Sequence, residues 1–259
     1  MAAVNDPPAI LVRELRKVFR QTTSGQSVVA IEGLDLEIAP REVVAIVGQT
    51  GCGKSTFFDL MIGLEAPSAG SIMIGGKTPY GDFDHFRGQI ATVFQQDRLL
   101  PWRSAIDNVR LPLELIGLPE AEQRERSMTW LQRLGLGNFT GAYPHELSGG
   151  MRQRVSIARA FAVDPEILLC DEPFSSLDEM TARDLRAEFV RLVRQSNRTA
   201  VFITHQINEA MEIGDRVLVF HRPARIAYET RLDAATTDAD RRKVHEDIIR
   251  VLSVEQTPA

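Results

Sequence analysis

The eight residues Gly48-Gln49-Thr50-Gly51-Cys52-Gly53-Lys54-Ser55 have the types and spacing that phosphate chemistry requires. Glycines let the chain curl until successive backbone N–H groups point inward at anionic oxygens, and a helix starting there adds positive potential. A lysine at the end of such a loop is a mobile point charge for β- and γ-phosphates, and the Ser55 hydroxyl is a magnesium ligand. Thr56 extends the same helix start. Cys52 reads as a small filler of the loop rather than a reactive thiol.

A second group lies further along, in Ile167-Leu168-Leu169-Cys170-Asp171-Glu172-Pro173. Here an apolar strand ends in two carboxylates. A strand tip is a costly place for charge unless a cation or a proton transfer needs it. Asp171 is suited to hold magnesium through water, and Glu172 to polarise an attacking water as general base.

These groups need a scaffold, and the pattern supplies one. Apolar runs at Val43 to Val47, Ile167 to Cys170, Ala200 to Thr204 and Val217 to Phe220 lack polar alternation, as strands covered on both faces do. Helical spacing follows Gly53 from Lys54 to Leu64 and recurs over Thr181 to Ser196. Earlier, Ile10 to Leu15, Val28 to Ile31 and Leu34 to Ile38 read as short strands joined by a Gly/Ser/Thr-rich turn, and residues 71–76 as another strand. Strand signals vanish between about Asp97 and Ala162, where helices such as Glu120 to Leu134 and Gly149 to Phe161 predict an all-helical insertion. A last helix near Asp238 to Leu252 carries Val244, Ile248, Val251 and Leu252 on one face.

Bulk properties narrow the function classes. The chain has 259 residues, 44% hydrophobic and 25% charged, ordinary values for a globular protein. A formal net charge of -5 argues against general nucleic-acid binding. No apolar run approaches the ~20 residues of a membrane-spanning helix, and MAAVNDPPAI is not a signal peptide. With two cysteines in no metal or disulfide spacing, a reducing cytoplasmic compartment is the expectation, and the sequons at Asn138 and Asn197 are coincidental.

Between the two chemical groups stands Leu147-Ser148-Gly149-Gly150-Met151-Arg152-Gln153-Arg154, which resembles the signature sequence of ABC ATPases. Other landmarks follow that family's order: Gln95 resembles the Q-loop, Ser176-Leu177-Asp178 the D-loop, Thr204-His205 the switch histidine, and Phe19 the aromatic that stacks on adenine. The resemblance covers about Ile10 to Tyr228. It implies an α/β phosphate-loop NTPase fold with a RecA-like core, an antiparallel β-subdomain and an α-helical subdomain. The expected layout is a loose N-terminus at 1–9, an ATPase domain at 10–230 with the helical insertion at about 97–162, and a C-terminal helix and tail at 231–259.

The resemblance also implies roles. ATP and Mg2+ are the expected cofactors, with Phe19 and residues 48–56 (Gly48, Gln49, Thr50, Gly51, Cys52, Gly53, Lys54, Ser55, Thr56) on the nucleotide and Ser55, Gln95 and Asp171 on the metal. Glu172, His205 and Gln95 are the expected catalytic groups. A head-to-tail homodimer is implied, sandwiching two ATP molecules, with Ser148, Gly149, Gly150 and Gln153 reaching the partner's nucleotide and Asp178 in the dimer loop. The start of the helix at Gly149 suits this, since its N–H groups can meet a γ-phosphate.

Arg98-Leu99-Leu100-Pro101-Trp102 resembles the importer ATPases of the nitrate, sulfonate and taurine group, as do Asp171-Glu172-Pro173-Phe174 and Arg222-Pro223-Ala224-Arg225-Ile226. In importers this region receives a coupling helix of the membrane permease; Trp102 either lines that groove or packs in the core. The implied partners are an integral membrane permease and a periplasmic or extracellular substrate-binding protein acting through it, with this chain peripheral on the cytoplasmic face. Three departures stand out: Arg41-Glu42 replaces a usual Gly-Glu, Gln206 a frequent aspartate, and Ser175-Ser176 a usual Gly-Ala. Soluble ABC ATPases acting on DNA or ribosomes are an alternative, but usually show a long coiled-coil insertion or tandem nucleotide domains. A small-molecule kinase would leave the signature without purpose.

Overall fold

The computed structural model describes residues 7–20, 26–233 and 235–253. In chain order the first elements are β1 (Ile10–Arg20), β2 (Ser27–Ile38), β3 (Val43–Gly48), α1 (Lys54–Met61), β4 (Ala69–Ile74) and β5 (Ile90–Val93). Then come α2 (Ala105–Leu115), α3 (Glu120–Arg133), α4 (Gly149–Ala162), β6 (Ile167–Asp171) and α5 (Glu179–Ser196). Last are β7 (Thr199–Thr204), α6 (Ile207–Ile213), β8 (Arg216–His221), β9 (Arg225–Arg231) and α7 (Asp238–Ser253). The chain divides into two compact units, Met1–Asp84 with Thr199–Ala259, and His85–Arg198. Part of the predicted loose N-terminus, the Gly/Ser/Thr-rich turn and the extreme tail lie outside the described residues.

In the first unit, β3, β7 and β8 are buried at every position. Their Val, Ile, Ala and Phe side chains suit a parallel arrangement, and β3 indeed pairs in parallel with β7 on one side and β8 on the other. β9 runs antiparallel to β8 with alternating exposure, so it forms a half-wet margin. Its Arg-Ile-Ala-Tyr-Glu-Thr-Arg composition hid it from the apolar-run reading. The antiparallel sheet has the order β2-β1-β4. The two strands expected at 28–31 and 34–38 are one strand, carried past Gly33 at φ 60.

β1 is irregular where Glu14 takes φ 43 and its N–H donates to Asp35 Oδ1 at 2.9 Å. Opposite it, Gly70 of β4 is obligatory, because a Cβ there would lie 2.2 Å from the Glu14 carbonyl oxygen. Arg41, at the usual glycine position before β3, has φ 67. That left-handed conformation costs a non-glycine residue about 1–2 kcal/mol. The turn is held by Arg41 N–H donating to Thr199 Oγ1 at 2.8 Å, and by Glu42, which is buried, meets Arg231 at 2.9 Å and accepts from Ala39 N–H. α7 lays Val244, Ile248, Val251 and Leu252 against a cluster containing Ala45, Val47, Met211, Val217 and Val219.

In the second unit β5 and β6 pair in parallel, with Ile90 opposite Ile167 and Val93 opposite Cys170. Strand β5 and helix α2 were not foreseen. The core here is aromatic: Phe161 of α4 lies 5.0 Å from Trp130 and 6.0 Å from Phe189, and Phe189 lies 5.6 Å from Phe174 between ring centroids. Removing one such ring typically costs about 3–5 kcal/mol. The chain leaving β6 is therefore fixed through Phe174 to α4 and α5.

Candidate functional site

The expected site residues divide between the two units. In the first, β3 ends at Gly48 and the loop turns through Gly51 at φ 79 and Gly53 at φ 109 before α1 begins. Gly53 admits no other residue: a Cβ would lie 2.5 Å from the Ala30 carbonyl oxygen and 2.8 Å from Ala224 Cβ. Gly53 offers α1 no side-chain cap, and no acidic residue stands in the first turn. The opening N–H groups of a helix lack intrahelical acceptors, so this end suits an anion supplied from outside the chain.

Lys54 is only 6% exposed. Its ammonium donates to the carbonyl oxygens of Gly48 at 2.6 Å and Gln49 at 3.0 Å, which holds it at the mouth of its own loop. Ser55 and Thr50 are exposed, Thr56 half-buried and Cys52 buried. Gln49 differs from a simple nucleotide ligand, because its side-chain amide donates to the Leu252 carbonyl of α7 at 2.7 Å. Next to that contact, a His221 ring nitrogen lies 3.0 Å from the Val251 carbonyl oxygen. Both acceptors belong to the last turn of α7, whose carbonyls have no intrahelical donors.

Phe19 is 38% exposed on β1, with the Lys17 ammonium 4.8 Å from its ring centroid. Lys17 is itself tied to Glu65 at 2.6 Å and to the Ala66 carbonyl at 2.8 Å. His205 is exposed at the end of β7. Its turn is held by Thr204, whose hydroxyl donates to buried Glu209 and accepts from Gln206 N–H at 3.0 Å. Glu209 was missed in the sequence; a glutamate facing inward on a short helix leaves no periodic signal.

In the second unit, Asp171 ends β6 half-buried and Glu172 follows at φ 44, a left-handed backbone that side chains seldom adopt. Such conformations gather at functional sites because the fold must enforce them. Burial, with the neighbouring Asp171 charge, pushes the Cys170 thiol well up, so it stays protonated and is no nucleophile. Ser148 caps α4 by accepting from Met151 N–H at 3.3 Å, and Ser148 and Gly149 are exposed. Asp178 caps α5 through Thr181 N–H at 3.0 Å, a bond that holds its carboxyl below the usual range.

Gln153 departs from expectation. It is 2% exposed, and its amide donates to the Phe94 carbonyl at 3.2 Å within its own unit. At three positions past Gly150 on α4 the side chain turns inward, so it is not on the face shared by Ser148 and Gly149. It instead holds the segment carrying Gln95, whose side chain is exposed and whose carbonyl accepts from Ser176 Oγ at 3.4 Å. Trp102 is 72% exposed, which removes the core-packing reading. Fully buried Asn108 holds the turn behind it, accepting from Leu100 N–H at 2.7 Å and donating to the carbonyls of Arg103 at 2.9 Å and Ser104 at 3.0 Å.

Residues 31–175 match the family described as ABC transporter. The chain belongs to the ABC transporter family. An ABC transporter ATP-binding protein of Methanocaldococcus jannaschii is 39% identical, over 86% of this chain and 81% of its own length. A taurine import ATP-binding protein of Rhizobium johnstonii is 42% identical, over 83% of this chain and 81% of its own length. Among solved structures, the ATP-binding cassette MJ0796 in a dimeric post-hydrolysis state with ADP and Pi matches with a TM-score of 0.77 and 31% identity, over 87% of this chain and 99% of that one.

This ABC cassette is thus an ATP-binding ATPase with the phosphate-loop α/β fold of its relatives. Among the described residues no helix is long and apolar enough to cross a membrane, and no group of three or more His, Cys, Asp or Glu forms a metal centre. The cassette's candidate metal donors, Ser55, Gln95 and Asp171, are all oxygen donors. That set suits a hard cation such as Mg2+ bound together with phosphate oxygens.

Proposed function

We propose that this chain is the ATP-hydrolysing subunit of an ABC import system, working as a head-to-tail pair that drives a membrane permease from the cytoplasmic face. Each nucleotide is gripped by the phosphate loop of one subunit, with Phe19 on the adenine, and by Ser148, Gly149 and Gly150 of the other. Lys54 neutralises the β- and γ-phosphates. Mg2+, held by Ser55, Gln95 and through water by Asp171, supplies charge neutralisation at the transferring phosphoryl group. Glu172 takes the proton of the attacking water, His205 contacts the γ-phosphate, and Asp178 lies at the dimer loop.

The observation that carries the transport reading is Trp102, an exposed indole presented by a turn that buried Asn108 holds rigid. Exposed aromatics backed by a rigid frame are typical anchors for a partner. An importer of the nitrate, sulfonate and taurine group agrees with the Arg98 to Trp102 segment and with the taurine import relative. Cargo would be selected by the permease and an external substrate-binding protein.

Affinity capture of the tagged chain from its native membranes in mild detergent tests this. An integral membrane permease should copurify, and Trp102→Ala should weaken that association while ATP binding persists. Recovery with ribosomal or DNA-maintenance proteins instead would overturn the transport reading and leave the ATPase assignment standing.

A further inference from the structure

The segment that carries Gln95 is held almost entirely by the helix that begins at the signature turn. Arg152, in the first turn of α4, donates from Nε to Asp97 Oδ2 at 3.0 Å and from its terminal nitrogen to the Leu147 carbonyl at 2.8 Å. One guanidinium thereby joins the residue two beyond Gln95 to the residue just before Ser148. The other Asp97 oxygen accepts from Leu99 N–H at 3.1 Å, which fixes the carboxylate's orientation. Gln153 reaches the Phe94 carbonyl, one residue before Gln95. Further along α4, Arg159 donates to the carbonyls of Asp97 at 2.7 Å and Arg98 at 2.8 Å. The Arg98 guanidinium lies 3.8 Å from the Phe94 ring centroid, closing the segment on itself.

This arrangement exceeds what fold stability requires. A pair as exposed as Arg152–Asp97 (37% and 28% side-chain exposure) contributes little on its own. Its value is geometric, because the planar fork holds a carboxylate and a carbonyl in fixed relation, which a lysine cannot do. The Gln95 segment and the Ser148–Gly150 turn are consequently one mechanical piece.

We propose that Arg152 is a positioning residue that locks the Gln95 segment to the Ser148–Gly150 turn, so that the nucleotide state sensed at Gln95 sets the position of the turn offered to the partner subunit's nucleotide. The inference rests on the head-to-tail reading above, in which Gln95 and Ser148 of one chain serve different nucleotides. It makes the two nucleotides of a dimer cooperative through a contact inside each chain. Coupling of this kind needs an element that both sites bias, and the clamped piece is that element.

The test measures steady-state ATPase rates of the purified full chain against Mg-ATP concentration. The wild type should show a Hill coefficient well above 1, toward the limit of 2 for two sites. Arg152→Ala and Asp97→Asn should each bring it to about 1, and the double variant should go no further. Half-saturation should move by less than about threefold, since the phosphate loop is untouched. Arg152→Lys keeps the charge and loses the fork, and should resemble Arg152→Ala. Hydrogen exchange supplies a second readout. ATP should protect both the Phe94–Arg98 and Leu147–Arg152 segments in the wild type, and only the former in Arg152→Ala.

A variant with wild-type cooperativity and joint protection overturns the clamp alone. So does a wild type whose two segments respond independently. A wild type that binds ATP yet never dimerises, by size-exclusion chromatography with light scattering, overturns the head-to-tail reading and this inference with it.

Discussion

The cassette meets phosphate with two kinds of structure, and they are built in opposite ways. The phosphate loop between β3 and α1 is closed: Lys54 is nearly buried on its own carbonyls, Gly53 is packed against Ala30 and Ala224, and Phe57 and Phe220 sit edge-to-face behind it at 5.6 Å. The margin of the other unit is open. Ser148, Gly149, Gln95 and Asp178 are exposed, and Ser148 and Asp178 are each tied locally by a single cap. A closed loop can hold a nucleotide as a monomer. An open margin made of helix starts and short caps presents donors to something that the subunit itself does not supply.

Breaking the closed end should therefore have the largest effect. Lys54→Ala removes the only side chain of the loop that meets the phosphates as a full charge, and ATP affinity should fall by more than ~100-fold, taking turnover with it. Isothermal titration with ATP checks this. Affinity within a few-fold of wild type would mean that the loop's backbone alone holds nucleotide and that the closed geometry around Lys54 serves only folding.

Breaking the open margin should separate binding from chemistry. Glu172→Gln keeps the shape of a side chain enforced at φ 44 but removes the base. Hydrolysis should drop by about 10²–10³-fold, within the range ascribed to general bases. ATP affinity should persist, and the ATP-loaded dimer should accumulate in size-exclusion chromatography because nothing discharges it. Near-normal turnover would remove Glu172 as the base and leave His205 or another group to be assigned.

The same contrast decides what could be read without coordinates. The closed loop was legible because its chemistry is local: spacing, glycines, lysine and serine stand within eight consecutive residues after an apolar strand. The buried parallel strands were legible for a similar reason, as unbroken aliphatic runs. β9 was not, because an edge strand with charges at alternate positions has no apolar run to reveal it. Gln153 shows a subtler loss. Its place in the signature pointed outward, yet the 3.6-residue period of α4 turns it in toward Phe94, and helix phase near a terminus depends on where the cap falls. The Arg152 and Arg159 contacts to Asp97 span 55 and 62 residues, a separation at which a single sequence gives no pairing signal.

The smallest expected effect lies where the closed loop meets the last helix. Gln49 donates to the Leu252 carbonyl, and His221 stands beside the neighbouring Val251 carbonyl, so the C-terminal turn of α7 is completed by residues of the nucleotide-binding core. A neutral hydrogen bond of this kind contributes about 1 kcal/mol net. Gln49→Ala should lower Tm by roughly 2–4 °C for a chain of this size, read by differential scanning fluorimetry. Because one bond joins the two elements, its loss should also raise hydrogen exchange in the last turn of α7 before it does so in β3. Saturating ATP, which orders the loop from its other side, should recover part of that protection in the wild type and little in Gln49→Ala. Equal recovery in both would mean that α7 is packed on the core through Val244, Ile248 and Val251 alone, and that the phosphate loop is closed without it.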